Sequence, residues 1–173
     1  MQVRFDEIPA EGREFEIKDT SWFPAEEIQP IGPVQARIFL ERRDEERVFL
    51  QGALVGQVRL ICDRCLEEFD CRLDQEFRID LELADQGAAL LDAEAEHACQ
   101  GSEMDVMFLT EPLIDLGGIL AQQVFLSLPA KRLCSEDCQG LCPHCGANRN
   151  IVRCDCHEAA KNSPFAILKK LQH

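Results

Sequence analysis

Eight of the ten cysteines in this 173-residue chain fall into four close pairs. The pairs are Cys62 with Cys65, Cys134 with Cys138, Cys142 with Cys145, and Cys154 with Cys156. A tetrahedral zinc site takes four thiolates, usually two from each of two such pairs. The pairs therefore suffice for two four-thiolate zinc sites, with Cys71 and Cys99 left over.

The clearest unit is residues 142–146, which read Cys-Pro-His-Cys-Gly. Two cysteines three apart on a tight turn can hold one ion. Gly146 permits a left-handed backbone, which brings amide N–H groups close to the sulfur. Two further cysteines in an extended Cys-x-Cys segment would point to the same face and complete the tetrahedron. We predict a first site formed by Cys142, Cys145, Cys154 and Cys156.

The pair Cys62 and Cys65 follows a predicted strand. A redox dithiol would prefer a strand-to-helix turn in a βαβ unit, which this region does not show. A redox pair and a turn with incidental cysteines remain the alternatives. We predict a second, less clearly specified site formed by Cys62, Cys65, Cys134 and Cys138.

A second argument for metal does not depend on spacing. Residues 129–162 contain four large apolar side chains besides cysteine, namely Leu133, Leu141, Ile151 and Val152. So few cannot offset the ordering entropy of 34 residues. The segment is either disordered or held by a metal, which supplies about 10–16 kcal/mol of apparent binding energy in small zinc domains. We expect one or two Zn²⁺ ions.

Enzymatic chemistry is poorly supported. The spacing of Cys138, Cys142 and Cys145 resembles the iron–sulfur motif of radical SAM enzymes, but those enzymes place it early in a large α/β barrel. Here 28 residues follow Cys145. None of the four histidines pairs with a nucleophile and an orienting acid, and no glycine-rich phosphate loop is present. We predict no enzymatic activity and no small-molecule substrate.

The elements that must position these cysteines are mainly strands. Apolar and polar residues alternate over 34–41, a polar turn follows at 42–46, and the apolar run 48–50 comes next. Over residues 68–83 every even position is charged, and seven of the eight odd positions are apolar. This pattern predicts strands with one face in a core and one in water, in an antiparallel sheet.

The rest of the chain divides into three parts. Residues 84–103 predict an acidic linker, and Thr110-Glu111-Pro112 predicts the start of a helix over about 111–127. A short terminal helix is expected from Ser163-Pro164. The fold class is therefore α+β, an antiparallel β meander or partly open barrel packed by a helix. We expect this domain over 1–128 and a small Cys-rich zinc module over 129–173.

Charge is distributed unevenly. The chain has a formal net charge of -14, made up of -17 over residues 1–128 and +3 over 129–173. Such acidity argues against a nucleic-acid binder that works alone, because phosphate neutralisation needs Lys and Arg. No stretch approaches the ~20 apolar residues that span a membrane, and no signal segment is visible. We expect a cytoplasmic protein with no membrane contact.

Taken together, these residues resemble the YceD family. The resemblance rests on residues 62–66 (Cys-Asp-Arg-Cys-Leu), on the run over 134–150, on Cys154-Asp155-Cys156, and on 164–168 with Leu171. It implies a role in accumulation of 23S ribosomal RNA and in large-subunit biogenesis, with no enzymatic activity. It also implies a gene beside that of large-subunit ribosomal protein thirty-two, a small basic protein.

The acidic composition and this role lead to one hypothesis. The acidic body, especially the Lys- and Arg-free span 79–130, holds a basic large-subunit ribosomal protein, for which protein thirty-two is the candidate. Basic residues of the tail contact precursor 23S rRNA; these are Lys131, Arg132, Arg149 and Arg153. A zinc-ribbon nucleic-acid-binding regulator and a redox or iron–sulfur protein are the alternatives.

Overall fold

The computed structural model describes residues 1–17, 19–84 and 106–156, which are mostly strand with one α-helix. The strands are β1 (Gln2–Arg4), β2 (Arg13–Ile17), β3 (Gln29–Pro30), β4 (Gln35–Arg42), β5 (Arg47–Ile61), β6 (Glu68–Leu83), β7 (Val106–Leu109) and β8 (Leu113–Asp115). The helix α1 spans Leu116–Ser127. The α+β class is confirmed.

Six strands form one sheet in the order β2-β4-β5-β6-β7, with β3 also paired to β5. β2 and β4 are antiparallel, as are β4 and β5, and Leu40 faces Leu50 across the second pair. The loop 62–67 between β5 and β6 is too short for a parallel crossover. These strands form the predicted meander. The partly open barrel is not confirmed, since the remaining described strands, β1 and β8, form a separate ladder.

One strand departs from the expected antiparallel order. β7 runs parallel to β6, with Asp80 opposite Val106 and Leu83 opposite Leu109. A parallel neighbour needs a crossover of a dozen or more residues. The 22 residues between the two strands meet that requirement. Apart from Ala84, the predicted linker over 84–103 lies outside the described residues.

The alternating pattern places the core on one face of β6. The strand spans Glu68–Leu83, the range that the alternation predicts. Leu73 and Leu81 are fully buried, and they belong to the same core as Leu54 of β5. Each such side chain stabilises the fold by about 1.5–3 kcal/mol relative to exposure. The charged side chains at the even positions face the solvent.

The helix begins five residues later than the sequence suggests. Residues Leu113–Asp115 form β8, and Ile114 lies opposite Val3 of β1. The side chain of Asp115 then caps α1 by accepting a hydrogen bond from the amide of Gly117 at 3.2 Å. Pairing with the distant N-terminus therefore overrides the helix-start signal at Pro112. No helix in the described part of the chain is long and apolar enough to cross a membrane.

The chain divides into two compact units. The first comprises residues 1–58 and 71–129, and the second comprises 59–70 with 130–173. The second differs from the expected 129–173 module because it includes the β5–β6 turn. Backbone hydrogen bonds explain the inclusion, since Asp63 N donates to Arg132 O at 2.8 Å and Leu141 N to Arg64 O at 3.0 Å. The expected terminal helix from Ser163 lies outside the described residues.

Candidate metal centres

The second unit contains two groups of four cysteines. We call the first the hairpin cluster: Cys62, Cys65, Cys134 and Cys138. We call the second the tail cluster: Cys142, Cys145, Cys154 and Cys156. In each cluster all four sulfur atoms lie within 4.8 Å of one another. The structure thus brings together the two predicted sets, including the less clearly specified second one. Cys71 is half-buried and belongs to neither cluster, and Cys99 lies outside the described residues.

The sulfur distances of the hairpin cluster suit one shared ion. Cys62 Sγ lies 3.8 Å from Cys138 Sγ, and Cys65 Sγ lies 3.6 Å from Cys134 Sγ. Ligands about 2.3 Å from a tetrahedral zinc are separated from one another by about 3.8 Å. A disulfide would bring its two sulfurs to about 2.0 Å. The donor set therefore fits a four-thiolate metal centre.

Both Cys-x2-Cys turns have the same backbone hydrogen bonds. In each turn the amide after the second cysteine donates to the carbonyl of the first cysteine. The amide of the first cysteine donates to the carbonyl five residues later. The four bonds are Leu66 N to Cys62 O (3.0 Å), Gly146 N to Cys142 O (2.9 Å), Cys62 N to Glu67 O (2.9 Å) and Cys142 N to Ala147 O (2.8 Å). The two clusters are thus built on equivalent turns.

The turns differ at the residue after the second cysteine. Gly146 has a φ of 73°, and Leu66 has a φ of 59° at the equivalent place. The left-handed conformation costs glycine little, but it costs other residues about 1–2 kcal/mol. The Leu66 side chain is 63% exposed, so packing offsets little of that cost. The hairpin cluster therefore contains a strained residue that the tail cluster lacks.

Hydrogen bonds to sulfur surround the hairpin cluster. Cys134 N donates to Cys62 Sγ at 3.4 Å, and Asn150 Nδ2 donates to Cys138 Sγ at 3.3 Å. Asn150 is fixed in turn, because its Oδ1 accepts from Gln139 N at 2.7 Å. Such outer contacts orient metal ligands and stabilise thiolate charge. Sequence reasoning assigned no role to Asn150, because its contact with Cys138 depends on the tertiary fold.

The β5–β6 turn is fastened to the segment that supplies the other two ligands. Arg132 N donates to the Asp63 carboxylate at 2.8 Å, and Arg64 Nη1 donates to Cys138 O at 3.0 Å. Gly140 has a φ of 67°, and a Cβ there would lie 2.9 Å from Arg64 O. Sequence reasoning did not assign these positioning roles. The glycine between Cys138 and Cys142 was the available signal.

The pKa values within the hairpin cluster diverge. Burial raises the pKa of Cys62, but hydrogen bonds from the backbone of Cys65, Cys134 and Arg64 outweigh it, and the pKa falls to about 6. The backbone at Glu67 lowers the pKa of Cys65, yet burial and the neighbouring thiols raise it to about 12. Burial raises the pKa of Cys138, but hydrogen bonds from Asn150 and from the backbone of Gly140 outweigh it, and that pKa is lowered as well. Two thiolates of the cluster thus form readily, and the other two need a cation.

The tail cluster follows the same rule. Hydrogen bonds from the backbone of Cys145 and His144 lower the pKa of Cys142 to about 6, against the effect of burial. The contact with Cys145, together with burial, raises the pKa of Cys156 to about 12. Four thiolates this close repel one another unless a metal ion neutralises them. Both clusters are therefore arranged to bind a cation.

The four predicted RNA-contacting residues are all exposed: Lys131, Arg132, Arg149 and Arg153. Arg149 and Arg153 line one cavity of about 320 Å³ with Asp155. The remaining two lie next to each other in the chain, before Cys134. The structure thus places the four in two pairs.

The fold and these clusters define a strand-rich α+β protein with two tetracysteine centres. A family model described as "Large ribosomal RNA subunit accumulation protein YceD" matches residues 50–172. The chain therefore belongs to the YceD family, as the cysteine signatures predicted. The matched range includes all eight clustered cysteines.

A curated relative points the same way. "Large ribosomal RNA subunit accumulation protein YCED homolog 1, chloroplastic" of Arabidopsis thaliana is 32% identical to this chain over 59 residues. The match covers 34% of this chain and 18% of that longer protein. No solved structure matches the chain.

Proposed function

We propose that this protein is a non-enzymatic ribosome biogenesis factor that supports 23S rRNA accumulation and large-subunit assembly. Membership of the YceD family carries the proposal, because the family description names accumulation of large-subunit ribosomal RNA. The described residues supply the physical setting: an acidic sheet-rich unit and a second unit with two tetracysteine clusters. The cytoplasmic location expected from the sequence is part of this proposal.

The clusters hold zinc in a structural role. Four cysteines fill all four positions of a tetrahedral ion and leave none open for a substrate. Zinc supplies no redox chemistry there. It cross-links its four ligands and so stabilises the fold of the segment that contains them. The hydrogen bonds to Cys62 and Cys138 stabilise the thiolates that such an ion requires.

Charge favours a basic protein over RNA as the direct partner. The described part of the second unit carries six basic and seven acidic side chains. A zinc ion with four thiolates adds a formal charge of about -2 per site. The metal-loaded unit is then clearly negative, even with its four exposed cations on the tail. The partner suggested by the family resemblance, large-subunit ribosomal protein thirty-two, is basic.

Two measurements test the function. Removing the gene should lower the ratio of 23S to 16S rRNA, and the wild-type gene should restore it. An unchanged ratio would contradict the proposal. Affinity capture from native lysate, with and without nuclease, then separates the partners. A basic large-subunit protein that survives nuclease and dissociates at high salt supports the acidic-holder account. If precursor 23S rRNA is captured and nuclease treatment releases all captured proteins, the direct contact is with RNA.

The four exposed basic residues on the tail support a second candidate, a zinc-ribbon nucleic-acid regulator. That function predicts direct binding to RNA or DNA with a steep dependence on salt. Substituting Lys131, Arg132, Arg149 and Arg153 by Gln would then abolish binding. Visible absorption tests the iron–sulfur alternative, because an iron–sulfur cluster colours the protein brown and zinc does not.

A further inference from the structure

The tail cluster brackets a loop that lies against the segment between the two clusters. Two of its ligands come before residues 146–153 and two come after them, and we call this range the tail loop. Arg149 N donates to Gly140 O at 2.9 Å, and Asn148 forms an antiparallel bridge with Leu141. The tail loop is therefore hydrogen-bonded to the residues that directly precede Cys142.

One side chain of the tail loop contacts a ligand of the hairpin cluster. Asn150 Nδ2 donates one hydrogen to Cys138 Sγ at 3.3 Å and the other to Asn148 Oδ1 at 2.9 Å. Asn150 Oδ1 accepts from Gln139 N at 2.7 Å. These bonds fix both ends of the amide. Asn150 thus lies between the ligands of one cluster in sequence and supports a ligand of the other.

The tail loop also contacts the β5–β6 turn. Asn148 Nδ2 donates to Glu67 Oε1 at 3.3 Å. The carbonyl of Glu67 accepts from Cys62 N at 2.9 Å, so Glu67 belongs to the turn that holds Cys62 and Cys65. The tail loop therefore reaches both segments that supply ligands to the hairpin cluster.

Apolar packing does little to hold the tail loop in this place. Its two large apolar side chains are exposed, Ile151 by 74% and Val152 by 52%. Ligation of one ion by the cysteines on both sides closes the loop instead. When the tail cluster is empty, the loop must lose conformational freedom before Asn150 can reach Cys138. A first ligand that orders a segment spares the second ligand that cost.

We infer that the two clusters bind their ions with positive coupling, and that Asn150 is the positioning residue that transmits it. Filling the tail cluster closes the tail loop and holds the Asn150 amide on the sulfur of Cys138. The coupling is reciprocal, so filling the hairpin cluster raises the affinity of the tail cluster by the same factor. We expect a factor of about ten, the lower end of the effect of outer contacts on metal affinity. This coupling rests on the zinc binding proposed above.

The first test measures the Zn²⁺ affinity of each cluster in the full-length protein by competition with a chelator. Backbone NMR signals of residues 62–66 and 142–146 report the filling of the two clusters separately. Cys142→Ser with Cys145→Ser, which empties the tail cluster, should lower the affinity of the hairpin cluster about tenfold. In a protein that already carries Asn150→Ala, the same pair should lower it by less than about twofold. An unchanged affinity in the first comparison, or an equal loss in the second, would overturn the inference.

Two substitutions of Asn150 separate a hydrogen bond to sulfur from a merely structural role. Asn150→Asp keeps the shape and the acceptor for Gln139 N, but it places a negative oxygen beside Cys138 Sγ in place of the donor. Asn150→Ala removes both groups. The affinity of the hairpin cluster should fall about tenfold for Asn150→Ala and further for Asn150→Asp. A structural role predicts the opposite order, which would overturn the inference.

A spectroscopic signature and a charge control complete the test. With ¹¹³Cd²⁺ as the probe, both substitutions of Asn150 should shift the NMR signal of the hairpin ion more than that of the tail ion. Gln139→Glu adds the same charge next to Cys138 in the chain, but the Gln139 side chain is hydrogen-bonded to Asp137 O at 2.9 Å. It should change the affinity by less than about twofold. A loss equal to that of Asn150→Asp would contradict the role of the amide.

Failure of the coupling and failure of zinc binding give different results. If the wild-type protein fills neither cluster, zinc binding is wrong and the coupling falls with it. If the wild-type protein fills both clusters and each affinity is independent of the other cluster, the coupling alone is wrong. A tenfold change in affinity leaves a cluster filled when metal is in excess, so the coupling appears only in competition with the chelator.

Discussion

The hairpin cluster and the tail cluster share one turn geometry but differ in how their ligands are brought together. Cys62 and Cys138 are 76 positions apart, and Cys65 and Cys134 are 69 apart. The tail ligands all fall within residues 142–156. Half of the hairpin cluster is positioned by the turn between two long strands. The tail cluster has no such support, so its fold depends more strongly on its metal.

Burial follows the same division. In the hairpin cluster three of the four cysteines are buried, with Phe69 and Leu133 packed against them. In the tail cluster one is buried, Cys142. Apolar packing contributes to the first cluster without metal, whereas the second relies almost wholly on ligation. The two clusters should therefore respond differently when the ligands of each are substituted.

The largest effect is expected from Cys142→Ser with Cys145→Ser. The double variant removes a metal ion whose ligation supplies about 10–16 kcal/mol in comparable small sites. Hydrogen exchange should show full loss of protection over residues 142–156, with β4 to β6 still protected. Metal analysis should show one ion fewer per chain. Retained metal and protection in that segment would contradict the ligand assignment.

The converse pair is the matched test of the comparison. Cys62→Ser with Cys138→Ser should also remove one ion, but the local tail cluster should keep its own. The segment over 131–141 should lose protection, while the turn at 142–146 stays protected. Loss of both ions would show that the tail cluster depends on the hairpin cluster. Cys71→Ser, outside both clusters, is the control and should retain both ions.

Acid should release metal from both clusters. Without metal, the pKa values of Cys65 and Cys156 are raised to about 12, so both are protonated at neutral pH. Metal binding must expel those protons, and affinity should fall as pH falls. Below about pH 6 even Cys62 and Cys142 become protonated, and the loss should steepen. The heat of metal binding measured by calorimetry at pH 7.4 should differ between Tris and phosphate. The difference should correspond to the release of at least one proton per ion. Equal heats, once corrected for metal–buffer binding, would contradict thiolate ligation.

A smaller effect is expected at the glycine between the clusters. Gly140→Ala adds a Cβ that would lie 2.9 Å from Arg64 O, at a φ of 67°. Gly146 also has a positive φ, but nothing lies within 4 Å of its added Cβ. The backbone cost of about 1–2 kcal/mol applies to both, and the clash applies to Gly140→Ala alone. Denaturation monitored by hydrogen exchange of the tail amides should give a lower free energy of unfolding for Gly140→Ala than for Gly146→Ala. The reverse order would show that Gly140 does not set the approach of the two segments.

Sequence reasoning succeeded where the determinants are local. Strict alternation identified β6 over its whole length, and close spacing identified the four cysteine pairs. The union of Cys62 and Cys65 with Cys134 and Cys138 is not local: it was predicted because four pairs suffice for two sites, and the structure brings these sulfurs together. That zinc fills them stays a prediction. The start of α1 was missed because pairing of β8 with the N-terminus competes with the signal at Pro112. The parallel placement of β7 was missed because four residues carry too little pattern to fix a neighbour.

The smallest effect tests the one difference inside the shared turn. Leu66→Gly should relieve about 1–2 kcal/mol of left-handed strain, while the added flexibility of the unfolded chain takes back about 0.5–1 kcal/mol. Because Leu66 is 63% exposed, little burial is lost. The variant should therefore be slightly more stable, by about 0.5 kcal/mol, measured as the free energy of unfolding at fixed zinc concentration. Gly146→Leu, the reciprocal change, should be less stable. A destabilised Leu66→Gly would mean that this side chain contributes packing at its exposed place. The strain would then be retained for a contact that the tail turn does not make.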